Sequence, residues 1–61
     1  MTIFLKNGKE IVLDDELGQQ VVIRIRKALT SGLKGLVIFH DDEDMDKVLL
    51  VLNLDEVAAI V

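Results

Sequence analysis

The chain begins with two short runs of β-prone residues that are separated by an Asn-Gly pair. Asn-Gly is the strongest short hairpin signal, because both central residues of a two-residue type I′ turn need a positive φ. Residues Thr2 to Leu13 are therefore predicted to form a β-hairpin that turns at Asn7 and Gly8.

A two-residue turn divides the apolar side chains of this hairpin between its two faces, because successive residues of a strand point in opposite directions. One face then carries Phe4, Ile11 and Leu13, and the other carries Ile3, Leu5 and Val12. Neither face is polar. A hairpin of this kind needs a cover on each side.

The next segment changes from period two to the period of an α-helix. Three acidic residues favour a helix start with an Asp N-cap, and the helix is predicted to run from about Asp15 to Ser31 with Gly32 as its left-handed cap. One stripe holds most of its apolar residues: Leu17, Val21, Val22, Ile25, Ala28 and Leu29. Ile23 projects from the polar face, which makes it a candidate for contact with another chain.

The remainder of the chain predicts further strands. Gly35–Phe39 and Lys47–Leu52 are apolar runs without alternation, typical of strands covered on both faces. Asn53–Glu56 indicates a tight turn or one helical turn, and Val57–Val61 is either a last strand or a continuation of that turn. The predicted order is β-β-α-β-β(-β).

This order predicts one α+β domain over residues 1–61, an antiparallel sheet with the helix packed on one face. The strands are apolar on both faces, so the helix-free face needs a cover from another chain, which we expect to be a second copy. The residues expected at that interface are Ile3, Leu5, Val12, Ile23, Leu49 and Val51.

The amino-acid composition favours association with another chain and excludes several classes of protein. A chain of 61 residues that is 51% apolar holds more apolar side chain than one small core encloses easily. It has no cysteine, so disulfides and thiolate metal sites are excluded. A net charge of −4 with only 3% aromatic residues argues against direct binding of nucleic acid.

The most conspicuous polar feature is an acidic patch between the third and fourth strands, formed by Asp41, Asp42, Glu43, Asp44 and Asp46. Three of these residues have the alternate spacing that begins an EF-hand calcium loop, but Lys47 stands where glycine is needed and Asn53 where glutamate is needed. A solvated loop is therefore the first interpretation. Weak binding of a cation, or contact with a basic partner, remains as an alternative.

Candidate catalytic and phosphate-binding chemistry is sparse. His40 is the single histidine, and no nucleophile is spaced to work with it, so no enzymatic activity and no cofactor are expected. Gly32-Leu33-Lys34-Gly35 has the spacing of a GXXG loop, but helix capping and a turn account for both glycines. Basic residues near the helix end complement the acidic patch in sign, which would suit contact between two copies.

Two segments carry a resemblance to other proteins: Lys6-Asn7-Gly8-Lys9-Glu10-Ile11, and Leu52 to Ile60 with the sequence LNLDEVAAI. Together they resemble short open reading frames from phages and mobile elements of Gram-positive bacteria. That resemblance implies a phage or mobile-element origin, a cytoplasmic location and action by protein contact, with no catalytic or binding residue to transfer.

The sequence thus predicts a cytoplasmic, non-enzymatic interaction protein that acts as a homodimer through protein–protein contact with a host or phage protein. No secretory signal and no membrane partner are expected. The alternative is an acidic inhibitor that imitates nucleic acid and occupies the basic site of a host or defence enzyme; a weak metal-binding module is a third reading.

Overall fold

The computed structural model describes residues 1–61 and contains one α-helix and five strands. In chain order the elements are β1 (Thr2–Leu5), β2 (Glu10–Val12), α1 (Asp15–Thr30), β3 (Leu36–His40), β4 (Val48–Asn53), a 3₁₀ turn (Leu54–Glu56) and β5 (Val57–Ile60). None of its helices has the length and apolar character that crossing a membrane requires.

The strands form two antiparallel sheets, with the orders β2-β1-β5 and β3-β4. The α+β class and the final strand are confirmed, but the single predicted sheet is divided in two. The division falls where the 3₁₀ turn follows β4: the Asn53 side chain accepts a bond from the backbone N–H of Asp55 (3.1 Å), and Leu54 N–H bonds to the Gly35 carbonyl (2.9 Å). The chain then leaves β3, and β5 pairs with β1 instead.

Helix α1 begins and ends where local sequence signals predict. The Asp14 side chain accepts a hydrogen bond from the N–H of Leu17 at 2.8 Å, which caps the first turn. At the other end Gly32 has φ +80°, and the N–H groups of Gly32 and Leu33 bond to the carbonyls of Leu29 and Ala28. This is a Schellman motif, which satisfies carbonyls that the helix itself leaves free.

The core lies between α1 and both sheets. It consists of eight buried residues: Ile3, Leu13, Val21, Ile25, Ala28, Phe39, Leu52 and Leu54. Three of them lie on the predicted helical stripe, and strands of each sheet supply others. One short helix therefore joins two sheets, and their outer faces have no cover within the chain.

The first hairpin has a different turn from the predicted one. Leu5 N–H bonds to Lys9 O and Gly8 N–H bonds to Leu5 O, so the loop contains three residues. Gly8 has φ +87°, whereas no non-glycine residue has a positive φ. The Asn7 side chain accepts a hydrogen bond from Lys9 N–H at 2.9 Å, which holds a type I turn followed by a glycine bulge.

The longer loop shifts the strand register by one residue and corrects the predicted faces. Ile3 now lies opposite Ile11, and Thr2 lies opposite Val12. Ile3 and Leu5 therefore face α1, where Ile3 is 0% exposed and Leu5 packs against the core. Their prediction as interface residues was wrong.

A β-bulge in β4 corrects a further prediction. Phe39 pairs with Leu50 but His40 pairs with Val48, which leaves Leu49 as the extra residue. A bulge of this kind breaks the alternation of side chains. Leu49 and Leu50 both pack against the core, so Leu49 is not the surface residue that strict alternation predicts.

Candidate protein interface

The acidic patch is a surface loop whose carboxylates partly serve the backbone. Asp41 Oδ1 accepts a bond from the N–H of Glu43 (2.8 Å), and Asp44 Oδ1 accepts one from the N–H of Asp46 (3.1 Å). Asp42 is exposed like the other acids except Asp41, which is half-buried. No group of three or more histidine, aspartate or glutamate side chains is arranged to hold a metal ion.

Arg24 connects α1 to the start of this loop. Its Nη1 donates to the carbonyl of His40 at 2.6 Å and lies 3.6 Å from Oδ1 of Asp42, while Nε and Nη2 both donate to the carbonyl of Gln20. The one basic side chain in an ion pair with the acidic patch is thus engaged within its own chain. The sequence alone indicated only that the two charges were complementary.

Replacing Arg24 with alanine is expected to lower the free energy of unfolding by about 1 kcal/mol, because charge-assisted hydrogen bonds at a partly exposed position are lost. Urea denaturation at fixed chain concentration measures the change. Arg26→Ala is the matched control, since Arg26 is exposed and makes none of these bonds. Equal losses in the two variants would contradict the bridging role of Arg24.

Exposed apolar side chains concentrate on the second hairpin and its flanks. We call this set the hairpin patch: Leu33, Leu36, Ile38, Met45, Val48 and Val51. Ile38 lies directly opposite Val51 in the β3–β4 ladder, so the two share the outer face of the sheet, and they are 50% and 48% exposed. Single exposed apolar residues are ordinary, whereas several on one face of a sheet are typical of interaction surfaces.

An open groove borders this patch on the helix side. It has a volume of about 570 Å³ and lies between the C-terminal half of α1 and β3. Its apolar lining is Ala28, Leu33, Val37, Ile38, Phe39 and Met45. Lys27 lies on its helix side, and Asp41 and Asp42 lie at its loop end. The groove has apolar walls and charges of both signs on its rim, a combination typical of sites that contact another protein.

The six predicted interface residues do not lie together. Val51 belongs to the hairpin patch, but Val12 is on the outer face of the other sheet and Ile23 is on α1; they are 69% and 73% exposed. Ile3, Leu5 and Leu49 face inward for the reasons given above. The predicted exposure of Ile23 is confirmed, while its role in contact stays a prediction.

Sequence reasoning missed most of the hairpin patch. Leu36 and Ile38 belong to an apolar run without alternation, which shows that both faces of β3 are apolar but not which residues face outward. Leu33 and Met45 lie in loops, where the periodicity of apolar residues does not indicate which side chains are exposed. The helix–loop geometry brings them to the same groove as β3.

The fold and this surface define the molecule as a small α+β protein with an exposed apolar patch. Comparison with protein-family models, with curated proteins and with solved structures gives no significant match to this chain.

Proposed function

We propose that this chain is a non-enzymatic interaction protein that acts as a homodimer and presents an apolar surface to another protein. The observation that carries the proposal is the hairpin patch: its side chains are about half exposed or more, and Leu33, Ile38 and Met45 line an open apolar groove. Covering such a surface contributes about 25 cal/mol per Å² of apolar area, which favours association.

The size of the chain supports association as well. Only nine of 61 residues are buried, and a single core of that size rarely supplies more than about 3–5 kcal/mol of stability. A second copy adds buried area without disulfides or a metal, neither of which the chain is equipped to use. The resemblance to phage and mobile-element reading frames adds that the dimer would act on a host or phage protein in the cytoplasm.

Light scattering behind a sizing column, over a wide concentration range, tests the proposal. We expect a mass of twice 6.8 kDa that persists on dilution to low micromolar concentrations. A mass of 6.8 kDa at every concentration would overturn the homodimer.

A pair of variants tests which surface is responsible. Ile38→Lys is expected to weaken the dimer strongly, because it places a charge in the hairpin patch. Ile23→Lys makes the same exchange at a more exposed site on α1 and is expected to leave the mass unchanged. Dissociation by Ile23→Lys and not by Ile38→Lys would assign the interface to the helix instead.

A further inference from the structure

The four outer strands of the two sheets differ in how well their edges could pair with another strand. Strand β2 has only three residues, β5 contains an extra residue at Ala58, and β4 contains one at Leu49. Short length and bulges are the usual protections of a sheet edge. Strand β3 has five residues, no bulge of its own, no proline and no lysine or glutamate. It is the one regular edge of sufficient length without a bulge.

The backbone groups along the free edge of β3 follow from its pairing with β4. Gly35 O accepts from Leu54 N–H, and Asp41 N–H donates to Lys47 O, just outside the two ends of the strand. Antiparallel bonding alternates along a strand, so Val37 and Phe39 bond to β4. The N–H and C=O groups of Leu36, Ile38 and His40 consequently point away from β4. Of these, the His40 carbonyl accepts one bond from Arg24, which leaves its second lone pair free.

We infer that two copies of this chain join through β3, edge to edge and antiparallel, around a two-fold axis at Ile38. This arrangement specifies the interface of the proposed homodimer, and it depends on that proposal. Ile38 of each copy then bonds to Ile38 of the other, and Leu36 bonds to His40 of the second copy. The result is a continuous four-stranded sheet in the order β4-β3-β3-β4.

Charge complementarity supports this register. A two-fold axis at Ile38 places Lys34 of each copy opposite Asp42 of the other copy. These two charge pairs lie just beyond the two ends of the paired strands. Lys34 is exposed, and the Asp42 side chain is 86% exposed. Asp42 has one long contact of 3.6 Å with Arg24, so its carboxylate retains room for a second cation. The chain carries −4 overall, so two copies repel each other, and a pair of opposite charges at each end of the paired strands would offset part of that repulsion.

The groove beside β3 provides the apolar component of the same interface. It runs between α1 and the free edge of β3, so edge pairing brings the grooves of the two copies face to face. Leu33 and Met45, which are more than half exposed in the single chain, would then be covered. The outer side chains of Leu36 and Val51 stay uncovered, while Ile38 of each copy packs beside Ile38 of the other at the centre of one larger apolar sheet face. That face is what the dimer would present to its partner protein.

Backbone N-methylation tests the hydrogen bonds of the edge directly, and a chain of this length is accessible to chemical synthesis. N-methyl Ile38 removes an N–H that points away from β4, so the fold should be retained while both central bonds of the dimer are lost. We expect dimer affinity to fall by about a hundredfold or more. N-methyl Val51 is the matched control, because Val51 is paired with Ile38 across the ladder and its N–H points to the opposite, bulged edge. That variant should dimerise like the unmodified chain.

Charge exchange tests the register. Asp42→Lys raises the net charge from −4 to −2, which by itself would favour association, yet the register predicts weaker dimerisation because Lys34 then faces a lysine. Lys34→Asp should weaken it too, and the variant with both exchanges should recover most of the affinity. Circular dichroism and thermal melting confirm that each variant is folded.

The outcomes separate this inference from the function on which it rests. An unmodified chain that is monomeric at all concentrations overturns both the homodimer and the β3 pairing. A dimer that survives N-methyl Ile38 with unchanged affinity leaves the homodimer intact and overturns edge pairing. Loss of the dimer with N-methyl Ile38, without recovery by the double exchange, overturns the register at Ile38.

Discussion

Replacing Ile25 with alanine is expected to lower the free energy of unfolding by about 3–4 kcal/mol. Ile25 is 0% exposed and lies in the core between α1 and the two sheets. Truncation of its side chain removes apolar burial and leaves a cavity that a core of eight residues has little material to fill. A chain of this size has only about 3–5 kcal/mol of stability, so the variant should lie close to its unfolding midpoint at room temperature, with a large unfolded fraction.

Urea denaturation followed by circular dichroism measures this loss, at one chain concentration because association adds to apparent stability. Ile23→Ala is the matched control: it makes the same substitution two residues earlier on the same helix at a side chain that is 73% exposed. We expect it to change the free energy of unfolding by no more than about 0.5 kcal/mol. Similar losses for both variants would contradict the orientation of α1.

The second large effect is expected from an aspartate at Ile3. This side chain is fully buried, and an aspartate there would remain without an ionic partner, which costs several kcal/mol and should abolish folding. Val12→Asp is expected to leave the free energy of unfolding within about 0.5 kcal/mol, because Val12 is 69% exposed on the outer face of its sheet. It should leave dimerisation unchanged too, since Val12 lies in the other sheet from β3.

The same pair of variants distinguishes the two hairpin registers. A two-residue turn at Asn7 and Gly8 would place Ile3 and Val12 opposite each other on one face, and both substitutions would then have similar effects. The three-residue loop places them on opposite faces, so their effects should differ by several kcal/mol. Thermal melting of both variants, compared with the unmodified chain, decides between the registers.

The helix and the order of the strands could be predicted from the sequence because their signals are local. An Asp14 side chain reaches the N–H of a residue three positions later, and Gly32 adopts the positive φ of its cap without the steric cost that a side chain would add. The spacing of Val21, Ile25 and Ala28 likewise identifies the face of the helix that the core buries.

The candidate interface could be predicted only in part, because it depends on register. An Asn-Gly pair is compatible with a two-residue turn and with a longer loop, and the bond from Lys9 N–H to Asn7 supports the longer one. A shift of one residue in the β1–β2 register places Ile3 and Leu5 toward the core, whereas the predicted register places them on the surface. The bulge in β4 likewise turns Leu49 toward the core. Nothing in this run of valines and leucines indicates where a bulge will form.

The amino-acid sequence by itself determined the class of the fold, the bounds of α1 to within a residue, the solvated acidic loop and an excess of apolar side chain. Each of these depends on composition or on residues within about four positions of each other. Only the tertiary structure decided which apolar residues are exposed, that the strands divide into two sheets, and that β3 is the regular free edge beside a groove. Those features depend on pairing between distant segments, where a shift of one residue reverses the direction of every side chain in a strand.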